Sequence, residues 1–333
     1  MPVGKVGPPP GAKEFLETVE EELRLVEREI RLESVGSVEV MAAIGRYLQA
    51  SGGKRLRPML VLLASKLVGD GGASAIRLGA VVEMIHMATL VHDDVIDSAE
   101  TRRGRPAVNV KWCNHVAVLA GDWLYMQAIQ MALRERSFRI LDVLSDATQR
   151  MVEGELLQLE RLGACEITEA DYMELVDRKT AGLFAASARV GALVAGGDED
   201  TEEKLGAYAW NVGMAFQLAD DVLDFTARAS VLGKPVGNDL AEGKVTLPLI
   251  YALEEATPEE RRLVETVLSD RSYQRVPFSS ILKLLERRRG IERARQRALL
   301  FTDAARQLLA GLSDSPYQRA LQWLAELVTA RRY

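Results

Sequence analysis

"LVHDDVIDSAETRRGRP", residues 90–106, joins a cluster of carboxylates to a cluster of cations. Asp93, Asp94 and Asp97 end an apolar stretch, and three arginines follow within nine residues of Asp97. Carboxylates at this spacing repel one another, so their charge has to be offset by cations close by. Either the neighbouring arginines and water supply that charge, or a metal ion does.

A second acidic cluster repeats the first. The stretch "FQLADDVLDF", residues 216–225, places Asp220, Asp221 and Asp224 in the same DDxxD pattern. With 18 Asp in 333 residues the pattern is expected by chance roughly 0.05 times per chain, so two copies are not a coincidence. On a helix the outer two carboxylates of each cluster share one face, and hard oxygen ligands without Cys or His favour Mg²⁺, which bridges to phosphates.

Proline placement predicts the fold class. No proline occurs in the 128 residues between Pro106 and Pro235, and apolar residues recur at helical spacing before each acidic cluster. Period-2 alternation is scarce. We therefore predict an all-α chain of long helices. A length of 333 residues allows one large domain or two, and residues 1–12 are expected to be a flexible lead-in.

Composition excludes several classes of protein. A net charge of -6 argues against nucleic acid as the main partner, although it allows a local basic site. Cys113 and Cys165 are too few for a disulfide framework or a zinc knuckle, which favours a cytoplasmic protein. The longest uncharged run, residues 205–219, is too short for a membrane span, so we expect no integral membrane segment.

The basic stretch "GGKRLRP", residues 52–58, suits a phosphate ligand. It brings Lys54, Arg55 and Arg57 to the start of a predicted helix, where backbone N–H groups also favour anions. Arginine binds phosphate oxygens in pairs and lysine acts as a point charge, so the mixture fits a diphosphate. Taken alone, such a stretch is more often a solvated basic turn than a binding site.

Together these stretches resemble the trans-isoprenyl diphosphate synthase family, the all-α prenyltransferases that join isopentenyl diphosphate to an allylic diphosphate. The similarity runs from about residue 52 to 251 and includes "RKTAGLF" and "LGKPVGNDLAEGKVTLPLIYAL". It implies a single domain over residues 13–333, in which long, mostly antiparallel helices surround a central cavity roofed by the two acidic clusters. It also implies about three Mg²⁺ ions per site and a homodimer formed through the helix near residues 114–134.

The resemblance assigns roles to individual residues. Asp93, Asp97, Asp220, Asp221 and Asp224 correspond to metal ligands, and the same five with Asp94 and Lys179 form the implied catalytic set. Lys54, Arg57, His86 and Arg103 correspond to isopentenyl diphosphate contacts. Arg102, Lys179, Thr180, Gln217, Lys234 and Lys244 correspond to allylic diphosphate contacts. Without the family, His86 would be interpreted as a core histidine.

Product length is expected to depend on the turns below the first cluster. Ala88 and Thr89 stand about one turn before the aspartates and are small, while Met84 and Ile85 lie a turn deeper and could form part of a floor. These four are equally natural as core residues. Because bulky residues near this point block growth in short-chain relatives, we predict a product of about C30–C45, as made by long-chain members such as octaprenyl diphosphate synthases for quinone side chains.

Other functions stay open at this point. The chain could be a farnesyl or geranylgeranyl diphosphate synthase, or the non-catalytic subunit of a heteromeric synthase. Terpene cyclases and head-to-head synthases use similar acidic clusters, but they do not need a basic site like residues 52–58 for a second diphosphate. Intact acidic clusters argue against a non-catalytic subunit.

Overall fold

The fold comes from a computed structural model that describes residues 18–34, 36, 38–50, 52–227 and 236–330. The predicted lead-in, residues 1–12, and the predicted contact Lys234 lie outside the described residues. The helices are α1 (Glu20–Glu33), α2 (Glu39–Gln49), α3 (Leu56–Val68), α4 (Gly72–Ile96), α5 (Val108–Trp112), α6 (Asn114–Leu133), α7 (Phe138–Glu160), α8 (Glu169–Val176), α9 (Gly182–Val194), α10 (Glu199–Thr226), α11 (Asn238–Ala241), α12 (Leu247–Glu254), α13 (Pro258–Asp270), α14 (Phe278–Arg287), α15 (Gly290–Leu309) and α16 (Pro316–Thr329).

Two short departures from α-helix interrupt this series. A π-helical turn, Asp177–Ala181, joins α8 to α9. A hairpin of β1 (Thr101–Arg102) and β2 (Arg105–Pro106) follows α4. Its two turn residues, Arg103 and Gly104, have φ of 53° and 73°, which is the conformation that a tight two-residue hairpin requires. The architecture is all-α, as predicted.

The acidic clusters lie at the carboxyl ends of the two longest helices. Helix α10 begins at Asp198, whose side chain accepts a hydrogen bond from the Thr201 backbone at 2.9 Å, and its last turns carry the second cluster. Helix α4 ends at Asp97, which caps the helix through its own backbone N–H. The negative end of each helix dipole therefore adds to the repulsion among the aspartates.

Helices α4 and α10 belong to one packed ring. Helix α4 packs against α3 and α6, helix α9 packs against α3 and α10, and α10 also packs against α15. Helix α9 approaches α3 closely because Gly191 has no side chain; a Cβ there would lie 2.3 Å from the Val61 carbonyl oxygen. This contact helps to fix the relative positions of the helices that carry the two clusters.

Two helices are long and apolar enough to cross a membrane by length and composition alone, α4 and α6. Helix α4 has 67% of its most apolar window buried, which marks it as a core helix. The corresponding value for α6 is 39%, so this helix leaves apolar residues exposed. The search of the sequence for long uncharged runs missed both helices, because each contains charged residues such as Arg77 and Asp122. The absence of a membrane segment and the single domain over residues 13–333 both stay predictions.

Candidate active site

One large cavity lies between the two acidic clusters. Its volume is about 850 Å³, and its wall includes Asp93 of α4 and Asp220 of α10. The two clusters therefore share one space, as the family resemblance led us to expect. The other predicted contacts in its wall are Lys54, Arg57, His86, Thr89, Arg103, Lys179, Thr180 and Gln217.

In the first cluster the three aspartates have different surroundings. Asp94 is 1% exposed and accepts a hydrogen bond from Arg102 Nε at 2.5 Å. Asp97 accepts two from Lys244 Nζ, at 3.0 and 3.1 Å. Asp93 faces the cavity between them. The spacing predicted that Asp93 and Asp97 share a face and that Asp94 is turned about 100° away, but of the three only Asp93 lines the large cavity.

In the second cluster only Asp220 is exposed, and Asp221 and Asp224 are buried. Asp221 accepts hydrogen bonds from Tyr172 Oη at 2.5 Å and from Gln217 Nε2 at 2.8 Å. Asp224 Oδ2 accepts one from the Asp239 backbone at 3.3 Å. Helix α11 therefore lies next to the end of α10.

The charge around Asp93 fits a cation. Burial raises the pKa of Asp93 to about 6, with Glu155 and Asp97 adding to the shift against the opposing effect of Lys179. Within the described ranges, no three Asp, Glu, His or Cys side chains come close enough to hold a metal by themselves. The aspartates thus offer hard oxygen ligands that would need further oxygens from water and a ligand, which is how Mg²⁺ is usually bound.

The two arginines of residues 52–58 have different surroundings. Arg55 forms ion pairs with Glu27 of α1 and Glu83 of α4, so it joins helices. Arg57 Nε is buried and has no hydrogen-bond partner among the described residues, and its guanidinium carbon lies 4.7 Å from the Phe184 ring centroid. Burial lowers the pKa of Arg57 to about 10, against a smaller opposing effect of Glu83. An anion in the cavity would relieve this burial cost.

His86 stands among cations. Burial lowers its pKa well below the usual range, and the charges of Arg57, Arg103 and two further arginines lower it more. The imidazole is therefore neutral at pH 7 and can donate one hydrogen bond. Arg103 lies next to the basic stretch, since Arg103 Nη1 is 3.2 Å from the position that a Cβ on Gly53 would occupy. The structure thus brings the four predicted isopentenyl diphosphate contacts to one side of the cavity.

Of the predicted allylic contacts, Lys179, Thr180 and Gln217 line the same cavity, whereas Arg102 and Lys244 line two smaller cavities. Lys179 and Thr180 lie in the π-helical turn, a form that is frequent at functional sites. Lys179 pairs with Glu155 of α7, and Thr180 Oγ1 donates a hydrogen bond to Gln217 Oε1 at 3.0 Å. Burial lowers the pKa of Lys244, but Asp97 and Glu242 together raise it by more, so this ammonium stays charged.

Only one of the four residues predicted to determine product length lines the cavity. Thr89 lines it, and its hydroxyl donates a hydrogen bond to the His86 carbonyl at 2.8 Å. Ala88 is 2% exposed, and Met84 and Ile85 are fully buried in the apolar core. Met151 and Val152 of α7, which we did not predict, lie in the cavity wall.

Several residues near the site were missed from the sequence. Glu83 and Glu155 hold predicted cations, and Tyr172 and Asp239 contact the second cluster. Asp239 lies within the stretch that carried the family resemblance, so its motif could have identified it. The other three owe their positions to contacts between distant helices, for which the sequence has no local signal.

Comparison with known proteins agrees with this geometry. The family model described as "Polyprenyl synthetase" matches residues 38–285. The chain belongs to the polyprenyl synthetase family. This confirms the resemblance, the isoprenoid synthase fold and the prenyltransferase class that the motifs predicted.

Individual relatives of this polyprenyl synthetase family member cover nearly the whole chain. Octaprenyl diphosphate synthase of Escherichia coli K12 is 39% identical over 301 residues, which are 90% of this chain and 93% of that protein. A geranylgeranyl diphosphate synthase of Methanosarcina mazei is 36% identical over 306 residues, 89% of this chain and 91% of that protein. The crystal structure of a Caulobacter crescentus CB15 polyprenyl synthase, complexed with calcium and isoprenyl diphosphate, has a TM-score of 0.93 and 35% identity and covers 99% of this chain and 100% of that chain.

The different surroundings of Arg55 and Arg57 predict opposite effects on stability. Arg55→Met leaves Glu83, whose side chain is 5% exposed, without its ion pair, so the free energy of unfolding should fall by about 3 kcal/mol. Arg57→Met removes a buried cation that has no such partner and should leave stability unchanged or raise it. Urea denaturation of the two variants checks this, and equal losses for both would contradict the division of roles.

Proposed function

We propose that this protein is an all-trans polyprenyl diphosphate synthase, which condenses isopentenyl diphosphate head-to-tail with an allylic diphosphate. The observation that carries the proposal is the single cavity, which has an aspartate of each cluster and the four isopentenyl-side contacts in its wall. A head-to-tail condensation needs two diphosphates side by side, and this cavity has a cationic side for one and an acidic, metal-binding side for the other.

The cofactor we propose is Mg²⁺, with Asp93, Asp97, Asp220, Asp221 and Asp224 as its ligands. Bound Mg²⁺, about three ions per site, would neutralise the allylic diphosphate and make it a better leaving group. Lys179, Lys244 and Arg102 would share the phosphate charge, and we expect Lys234 to join them. Each of the first three is held by a carboxylate, respectively Glu155, Asp97 and Asp94. Of these carboxylates Asp97 is also a proposed metal ligand, so Mg²⁺ held there would free Lys244 to contact the diphosphate.

Isopentenyl diphosphate would be held by Lys54, Arg57, His86 and Arg103. Its double bond would then lie next to the allylic carbon, which becomes cationic as the C–O bond breaks. Apolar residues of the wall, among them Leu90, Met151 and Phe216, exclude water that would otherwise capture this cation. The new C–C bond forms from the double bond, and the adjacent carbon loses a proton to the released diphosphate.

Turnover by the purified chain tests this function. With farnesyl diphosphate, isopentenyl diphosphate and Mg²⁺, the chain alone should form a product of about C30–C45, identified by chromatography. Asp93→Ala should lower the rate by about a thousandfold without unfolding the protein, because it removes a metal ligand. Asp303→Ala, an exposed aspartate on α15, is the matched control.

Other results of this assay would support a different function or contradict the metal assignment. An inactive wild-type chain would favour a non-catalytic subunit of a heteromeric synthase. A C15 or C20 product would favour a farnesyl or geranylgeranyl diphosphate synthase, the second of which is among the relatives. A near-normal rate for Asp93→Ala would contradict the metal assignment.

Product length should respond to Thr89, the one predicted pocket residue in the cavity wall. Thr89→Phe should shorten the product by several isoprene units, because the ring would occupy space needed by the growing tail. Thr89→Val keeps the volume and removes only the hydroxyl, so it should leave the product unchanged. Mass spectrometry of the products checks this, and an unchanged spectrum for Thr89→Phe would contradict it. Ala88→Phe, also expected from the sequence to shorten the product, would first have to displace buried core residues.

We also propose that the protein is a cytoplasmic homodimer, with product release at the membrane surface. Exposed apolar residues follow one face of α6 at seven-residue spacing, namely Leu119, Met126 and Leu133. Leu156 and Leu159 of α7 are exposed as well. A patch of this kind is typical of an interface between subunits.

Light scattering after gel filtration tests the homodimer. The wild type should elute as a dimer, and Leu119→Glu combined with Met126→Glu should give monomers, because charge is buried poorly at an apolar interface. Leu299→Glu on α15 changes an equally exposed leucine and should leave the dimer intact. A monomeric wild type, or a dimer unaffected by the double substitution, would contradict the proposed interface.

A further inference from the structure

A row of four hydrogen-bonded side chains runs from the core to the cavity wall. Tyr172 Oη donates to Asp221 Oδ2 at 2.5 Å, and Gln217 Nε2 donates to Asp221 Oδ1 at 2.8 Å. Thr180 Oγ1 donates to Gln217 Oε1 at 3.0 Å. These four residues, the Tyr172 row, connect α8, α10 and the π-helical turn.

The outer end of the Tyr172 row lines the large cavity, and its inner end does not. Thr180 and Gln217 line the large cavity and are predicted allylic diphosphate contacts. Tyr172 is 4% exposed and lies in an apolar cluster with Val176 and Leu218. It does not line the large cavity, but it lines a smaller one, whose wall it shares with Lys179, Thr180, Gln217 and Lys244.

Each hydrogen bond in the row determines the orientation of the next group. In the first bond the Tyr172 hydroxyl is the donor and Asp221 Oδ2 is the acceptor. Both oxygens of Asp221 are then engaged, which stops the carboxylate from rotating. Gln217 must point its NH₂ group toward Asp221, and its carbonyl oxygen therefore faces Thr180.

We propose that Tyr172 is a positioning residue for the allylic side of the site, acting through Asp221 on Gln217 and Thr180. The inference rests on the proposed function for the assignment of that side. Tyr172 does not take part in the isopentenyl side, which is built by α3, α4 and the hairpin. Loss of its hydroxyl should therefore affect one substrate and not the other.

The Tyr172→Phe substitution keeps the aromatic ring in its apolar cluster and removes the hydroxyl that donates a hydrogen bond to Asp221. We expect KM for the allylic diphosphate to rise about tenfold, the effect of one hydrogen bond to a charged group, while KM for isopentenyl diphosphate stays within about twofold. Tyr208→Phe is the matched control, because Tyr208 is also a fully buried phenol and donates to the Leu321 carbonyl at 2.7 Å. It should cost similar stability and change neither KM.

A double-mutant cycle tests whether Tyr172 acts through Gln217. In a Gln217→Met background the allylic KM is already raised, and Tyr172→Phe should add little to it. Equal changes in both KM values, a similar effect of Tyr208→Phe, or fully additive effects in the cycle would each overturn the proposal.

Calorimetric titration with inorganic pyrophosphate and Mg²⁺ separates this inference from the proposed function. Tyr172→Phe should weaken pyrophosphate binding about tenfold, and Tyr208→Phe should not. This result does not depend on turnover. An inactive wild type would therefore count against the synthase function alone, whereas equal pyrophosphate affinities of the wild type and Tyr172→Phe would count against the role of Tyr172.

Discussion

Mutual repulsion between carboxylates is the constraint on which this structure depends. Two acidic clusters end α4 and α10 at one cavity, and each adds to the negative end of a helix dipole. At 4 Å, two like charges near a protein surface repel by about 4 kcal/mol, so several of them cannot share a cavity without cations. The protein supplies some of that charge itself, through Arg102 on Asp94 and Lys244 on Asp97.

The two proposed sides of the cavity differ in whether their cations are paired with carboxylates. On the allylic side each described cation is held by a carboxylate, so that side favours a ligand that arrives with metal ions and exchanges partners. On the other side Arg57 is buried, and a neutral His86 stands beside Arg103, so that side favours a bare anion. Two chemically similar diphosphates can thus be distinguished by whether metal accompanies them.

What could be predicted from the sequence followed from local periodicity. The missing prolines indicate long helices, and the DDxxD spacing indicates that Asp93 and Asp94 point in different directions, although it did not show that Asp97 and Asp224 lie outside the cavity wall. Residues 52–58 show the limit, because Lys54, Arg55 and Arg57 look equivalent in the sequence, and only the carboxylates of α1 and α4 assign Arg55 to the scaffold. Tyr172 was missed for the same reason, since it meets Asp221 across 49 positions of the chain.

Helical geometry also explains why only one of the four predicted pocket residues faces the cavity. The residues of α4 that line the cavity are Glu83, His86, Thr89, Leu90, His92, Asp93 and Ile96, most of which recur at intervals of three or four residues, as one face of a helix requires. Ala88 and Ile85 fall between these positions and enter the core. One helical face therefore carries Asp93, the proposed metal ligand, Thr89, the proposed tail contact, and His86, the proposed isopentenyl diphosphate contact, in successive turns. All three residues lie on one helix, which packs against α3 and α6. The rise of this helix therefore determines how far the proposed tail pocket lies from the reacting carbons.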